Sequence, residues 1–203
     1  MEQIRKIGIM GGTFNPIHNG HIALADAAYK AFSLDKILFM PSGNSYMKQH
    51  VLDNSKRVSM VSKAIESISY FELSTIEVER FGDTYTSETL QQLTQQNPDV
   101  QYYFIMGADS LFHIEKWKDP EIIFQLSTLI CMVRDDYNMA DIKKKGAELA
   151  QRGADILYLN MPKIDISSTD IRNRVKLHQS ISELVPEKVE KYILQEHLYE
   201  KEY

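Results

Sequence analysis

The sequence predicts the α/β class: a doubly wound, mostly parallel sheet with a small helical subdomain at its carboxyl end. Three observations carry that prediction. Short apolar runs alternate along the chain with segments whose apolar residues recur every three or four positions. The runs are near-continuous, as in strands covered on both faces. After Pro162 the strand pattern stops and two helix-like segments follow.

In chain order, strands are expected at "IRKIGIM" (4–10), "KILFMP" (36–41), "FELSTIEV" (71–78), "QYYFIM" (101–106), "TLICMV" (128–133) and "DILYLN" (155–160). Between them, "HIALADAAYKAF" (21–32), "SKRVSMVSKAIESI" (55–68), "SETLQQLTQQN" (87–97), "PEIIFQLS" (120–127) and "ADIKKKGAELAQRG" (140–153) have the spacing of amphipathic helices. Strands separated by helices imply βαβ units and a Rossmann-like parallel sheet. Such sheets bind ligands beyond the carboxyl ends of their strands. Of the last two helices, "SSTDIRNRVKLHQ" (167–179) has Ser167 or Ser168 as its N-cap, and "PEKVEKYILQEHLY" (186–199) opens with Pro186 in its first turn. No repeat, low-complexity tract or long linker divides the chain. The expectation is one domain over 1–203, with 162–203 as the helical subdomain.

Hydrophobic residues make up 43% and charged residues 25%, an ordinary globular composition. Cys131 is the only cysteine, so no intrachain disulfide is possible; this fits a reducing cytosol, and its setting "TLICMVR" reads as a buried strand. No apolar run approaches the ~20 residues that span a bilayer. The N-terminus shows no apolar stretch of a secretory leader; Glu2, Arg5 and Lys6 lead straight into a strand pattern. The expected location is the cytoplasm, away from membranes. With a net charge of −5 and no basic run longer than "KKK" at 143–145, no nucleic-acid partner is expected. The oligomeric state stays open, a homo-oligomer included.

The densest stretch is "GIMGGTFNPIHNGH" (8–21). A glycine pair closing a strand, followed by His18 and His21 just beyond Pro16, fits three things: a tight turn, a metal site or a phosphate cradle. Zinc needs a third ligand, and neither the remaining histidines nor Cys131 supply one at ligand spacing. Two histidines satisfied in a core is the bland alternative. The glycine loop favours the cradle, because glycine accepts positive φ and lets the backbone approach a ligand, and a strand–loop–helix start gathers N–H groups around an anion. Neither G-x-G-x-x-G nor G-x-x-x-x-G-K-[ST] is present. This argues against an ordinary dinucleotide dehydrogenase and a P-loop ATPase.

"GGTFNPIHNGH" resembles the signature loop of the nucleotidyltransferase α/β-phosphodiesterase superfamily, with its H-x-G-H pair, and "ISSTDIR" (166–172) resembles that superfamily's second signature. "TYTSETL" (84–90), "GADSL" (107–111) and Trp117 are similar to the bacterial nicotinate-nucleotide adenylyltransferases, and the likeness runs through essentially the whole chain. One departure stands out. The family's P-P-H-K after the second strand reads Ser45-Tyr46-Met47-Lys48 here, so Met47 replaces the histidine while Lys48 remains.

The resemblance implies adenylyl transfer from ATP to nicotinate mononucleotide, giving deamido-NAD and pyrophosphate, with Mg²⁺ on the ATP and no metal site of the protein's own. It assigns catalysis to His18, His21, Lys48 and Arg172. It assigns ATP to Gly11, Gly12, Thr13, Phe14, Gly107, Asp109, Ile166, Ser167, Ser168 and Thr169. The mononucleotide falls to Thr84, Tyr85, Thr86, Trp117 and Arg134. The attacking group is a phosphate monoester with a second pKa near 6, mostly a dianion at pH 7, so no general base is required. Catalysis of this kind is positioning plus electrostatics. Related enzymes acting on pantetheine phosphate, nicotinamide mononucleotide, flavin mononucleotide or glycerol phosphate share the first signature, and a non-catalytic nucleotide-binding module is the alternative of another class. "TYTSETL" with Trp117 favours nicotinate mononucleotide, and the intact His18, His21 and Arg172 favour catalysis.

Overall fold

The computed structural model describes residues 5–43, 51–134, 138–162 and 164–200, with the backbone alone at Arg134. Six strands form one sheet: β1 (Arg5–Gly12), β2 (Lys36–Pro41), β3 (Phe71–Leu73), β4 (Val100–Gly107), β5 (Ser127–Arg134) and β6 (Ile156–Met161). Their order is β3-β2-β1-β4-β5-β6, and all pairs are parallel. The chain winds outward from β1, then returns to start again at β4. The reversal opens a crevice between the carboxyl ends of β1 and β4, where ligands of such sheets lie.

The helices are α1 (Asn19–Phe32), α2 (Asn54–Ile65), α3 (Thr86–Gln96), α4 (Ala108–His113), α5 (Pro120–Leu126), α6 (Met139–Ala150), α7 (Ser168–Lys176) and α8 (Glu187–Gln195). Alternate residues of each central strand face opposite sides. Met10, Ile105 and Ile130 join a core with α1, α2, α7 and α8. Ile9, Phe104, Leu129 and Cys131 join another with α3, α4, α5 and α6. This two-sided burial explains the near-continuous apolar runs. Burial pushes the Cys131 thiol up to about 12, so it stays protonated.

The third strand is much shorter than the expected 71–78. Its ladder with β2 ends at Phe39↔Leu73. Beyond Ser74 and Thr75 the chain turns and brings the Glu77 carbonyl against Gly43, where a Cβ would lie 2.3 Å from that oxygen. Only glycine permits this approach. The short helix α4 has too little periodicity to show in sequence. Pro186 stands at the N-cap of α8, one residue before its first turn. For α7 the N-cap is Ser167, whose hydroxyl accepts from the Asp170 N–H at 3.1 Å.

Candidate active site

The loop between β1 and α1 is built around Phe14. The glycine pair does not take positive φ; Phe14 does, at 49°. That conformation is uncommon outside glycine. It is held by burying the ring, 2% exposed, edge-on to His21 and tilted on Phe39. The glycine requirement sits two residues earlier. A Cβ on Gly12 would lie 3.1 Å from the Phe14 ring.

His18 is the N-cap of α1 and His21 its third residue. Their rings stack at 3.6 Å between centroids. The His18 N–H donates to His21 Nδ1 at 3.2 Å, so a neutral His21 carries its proton on Nε2. His21 also lines a cleft with Gly11, Met106 and Gly107. His18 is buried, and desolvation lowers its pKa to about 4, so it is neutral at pH 7.

The second signature docks on the same loop. Ser168 Oγ donates to the Pro16 carbonyl at 2.8 Å. Arg172 Nη1 donates to the Asn15 carbonyl at 2.7 Å, and Nη2 to Thr169 Oγ1 at 3.2 Å. From beyond α8, the Tyr199 hydroxyl donates to Asn15 Oδ1 at 2.9 Å. Both oxygens of Asn15 are thus held by the carboxyl-terminal segment. The N-terminus of α7 lies against this loop through Ser168, and of its first-turn N–H groups that of Asp170 is already taken by the Ser167 hydroxyl.

Two clefts adjoin at the crevice. One, of about 300 Å³, is lined by Gly11, Gly12, Thr13, Thr84, Tyr85, Thr86 and Trp117 among others; a second, of about 250 Å³, by His21, Met106, Gly107 and Met132 among others. Gly11, Phe104, Ser110 and Trp117 border both. Trp117, half-buried, stands edge-on to Phe104 at 6.0 Å. Tyr85 caps α3, so Thr86 opens that helix towards the larger cleft. Asp109 is exposed in the first turn of α4, and Ser110 rather than Asp109 lines the clefts. Ile166 is half-buried, packed against the core, and Thr169 is exposed. Arg134 ends β5 at the correct edge of the sheet, with its side chain outside the described residues. Met47 and Lys48 lie outside the described residues altogether.

Besides Tyr199 and Ser110, several residues at the site escaped the sequence reading, among them Glu77, Lys118 and Arg57. Glu77 lines the larger cleft. Burial raises its pKa, opposed by hydrogen bonds from Thr89, Thr84 and the Gly43 N–H and by the charge of Arg80. Lys118 lines the same cleft, with Nζ 4.4 Å from the Tyr85 ring centroid and 2.6 Å from Glu88 Oε1. Arg57 is 1% exposed and touches Thr13 from behind. Its signal was visible: a charged residue in phase with Met60, Val61 and Ala64 on the buried stripe of α2.

A family model described as cytidylyltransferase-like matches residues 9–174. The chain is 41% identical to a probable nicotinate-nucleotide adenylyltransferase of Lachnoclostridium phytofermentans, covering 97% of this chain and 100% of that one. It is 39% identical to a protein of the same description from Clostridium tetani, with the same coverage. Among solved structures, Plasmodium falciparum nicotinic acid mononucleotide adenylyltransferase complexed with NaAD superposes with a TM-score of 0.79 at 21% identity, over 97% of this chain and 98% of that one. That last likeness concerns the fold alone.

Proposed function

The chain belongs to the cytidylyltransferase-like family, among the nicotinate-nucleotide adenylyltransferases, and from that membership we propose that it transfers the adenylyl group of ATP to nicotinate mononucleotide, releasing pyrophosphate and forming deamido-NAD. A phosphate oxygen of the mononucleotide attacks the α-phosphorus of ATP. The bond to the bridging oxygen of the β-phosphate breaks, and pyrophosphate leaves with its electron pair. No proton need be removed from the dianionic nucleophile.

The protein's task is to gather three anionic groups and favour the charge that develops between them. In this mechanism the Phe14 N–H and the α7 N-terminus receive phosphate oxygens. His21 donates from Nε2. His18, neutral, stacks beneath it and fixes its tautomer through the backbone N–H. Arg172 spends two of its five N–H groups on Asn15 and Thr169, leaving three for the leaving pyrophosphate. Thr84, Tyr85, Thr86 and Trp117 receive the pyridine ring in the larger cleft. Gly107 and Asp109 at the start of α4 serve the adenosine side, and the phosphates are also assigned, on the family resemblance alone, to Lys48 and Arg134.

Nucleotidyl transfer from ATP uses a divalent cation. Among the described residues no three His, Cys, Asp or Glu side chains group to hold one. We take the cation to arrive with ATP as part of the substrate, with Mg²⁺ as our assignment; it would neutralise phosphate charge there. Among the described residues no helix is long and apolar enough to cross a membrane; a cytoplasmic location is likewise our assignment.

The observation that carries this reading is the convergence of Ser168, Arg172 and the His18–His21 pair on one loop beside a cleft lined by Thr84–Thr86 and Trp117. The test is pyrophosphate release from MgATP with nicotinate mononucleotide, nicotinamide mononucleotide, pantetheine phosphate, flavin mononucleotide or, with CTP, glycerol phosphate. Turnover concentrated on nicotinate mononucleotide is expected. Absence of release with every acceptor would favour a binding module.

A further inference from the structure

Arg57 is buried in α2, yet among the described residues the partners of its guanidinium are all neutral. Nε donates to the Leu52 carbonyl at 3.0 Å, Nη1 to the Thr13 carbonyl at 2.7 Å, and Nη2 to the Ser42 carbonyl at 2.6 Å and Asn54 Oδ1 at 2.5 Å. No carboxylate figures among them. An arginine stays charged in proteins. A buried cation held only by neutral dipoles is costly unless an anion nearby offsets it.

Two of its acceptors border the larger cleft. Thr13 belongs to the phosphate loop, and Ser42 follows β2. In a trans peptide the carbonyl and the following N–H point in opposite directions. Pulling the Thr13 carbonyl inward therefore turns the Phe14 N–H outward, to the side that Gly12 and Thr13 present to the cleft. Pulling the Ser42 carbonyl inward turns the Gly43 N–H the same way. For Gly43 the result is visible: its N–H hydrogen-bonds the Glu77 carboxylate, which lines that cleft.

We propose that Arg57 is a positioning residue for phosphate transfer: it orients the Thr13–Phe14 and Ser42–Gly43 peptides, and it places a cation one peptide behind the floor of the site, where bound polyphosphate supplies the missing counter-charge. This rests on the adenylyl-transfer reading for its ligand. A lysine could replace the charge but not the fork that holds separate carbonyls at once. A methionine would fill much of the space and remove both.

The test uses the full chain with Arg57→Lys and Arg57→Met, each checked for folding by circular dichroism. Three quantities are measured: calorimetric affinity for inorganic tripolyphosphate, kcat, and KM for both substrates. Arg57→Met should weaken tripolyphosphate binding by about tenfold or more and lower kcat by about a hundredfold, the size of losing a preorganised donor. Arg57→Lys should keep tripolyphosphate affinity within about threefold while kcat falls by about tenfold, separating charge from orientation. Wild-type affinity and kcat in folded variants would overturn the proposal. If the methionine variant does not fold, the lysine variant decides alone: unchanged kcat rejects positioning. A wild-type protein inactive with nicotinate mononucleotide would sink the reaction reading, and the tripolyphosphate ratios would still decide the role of Arg57.

Discussion

His18 and His21 share one helix start but face different surroundings. His18 is buried, with Nδ1 lacking a hydrogen-bond partner among the described residues, while His21 borders a cleft. His21→Ala should lower kcat by about 10²–10³, the usual loss for one charge-stabilising donor. The melting temperature should move little, since α1 keeps its apolar contacts. A kcat within threefold of wild type, from steady-state pyrophosphate release, would remove His21 from the chemistry. For His18 the consequence is in stability. Its pKa falls from 6.5 in the unfolded chain to about 4 in the fold. The unfolded state therefore takes up the proton first as pH drops. The contribution of His18 is intact above pH 6.5 and erodes from there down to about 4, by roughly 3 kcal/mol at most. Denaturant titrations between pH 7 and 4 should show this slope in the wild type and a shallower one in His18→Gln. Parallel slopes would show that the ring is protonated without penalty.

At the scale of elements, helix α7 is the part that has to arrive correctly. Its start is fixed by the Ser167 cap and by Ser168 on the Pro16 carbonyl. One turn in, Arg172 grips Asn15. Arg172→Lys keeps the charge but cannot hold Asn15, Thr169 and a pyrophosphate together. A drop in kcat and weaker pyrophosphate binding in the reverse reaction are expected. Unchanged kinetics in both directions would reduce Arg172 to a loop clamp. The strands and most helices were legible because their apolar periods are local. The two signatures were legible because each is a contiguous string. Tyr199 was hidden because its meaning lies in a bond to Asn15, 184 residues away. Glu77 was hidden because "FELSTIEV" alternates like a strand, and only the turn after Ser74 swings it to the cleft. Arg57 left a trace in the α2 stripe, yet a lone in-phase charge does not reveal which carbonyls it meets.

For the whole molecule, the crevice at the sheet's reversal brings two clefts side by side, to which the proposed reaction assigns one substrate each. The ring cleft offers the N–H groups at the start of α3 and the ammonium of Lys118, beside a Glu77 already engaged by its own donors. Donors favour a carboxylate over an amide, whose NH₂ would face them unpaired at about 1–3 kcal/mol per buried group. At roughly 1.4 kcal/mol per tenfold, several donors give at least a hundredfold preference for nicotinate over nicotinamide mononucleotide in kcat/KM. Comparable values for the two would overturn the carboxylate argument. Trp117→Ala should raise KM for the mononucleotide, whose ring it would stack on, more than KM for ATP, although Trp117 borders both clefts.

The clamp on Asn15 also has a meaning in time. Synthesis runs from the amino end, so the glycine–histidine loop is released before the segments that hold it. The groups that hold its Asn15, the guanidinium of Arg172 and the hydroxyl of Tyr199, are made 157 and 184 residues later. A nascent chain can therefore pair β1 with its neighbours long before its phosphate loop is held. Both oxygens of Asn15 are held only once residue 199 has left the exit tunnel.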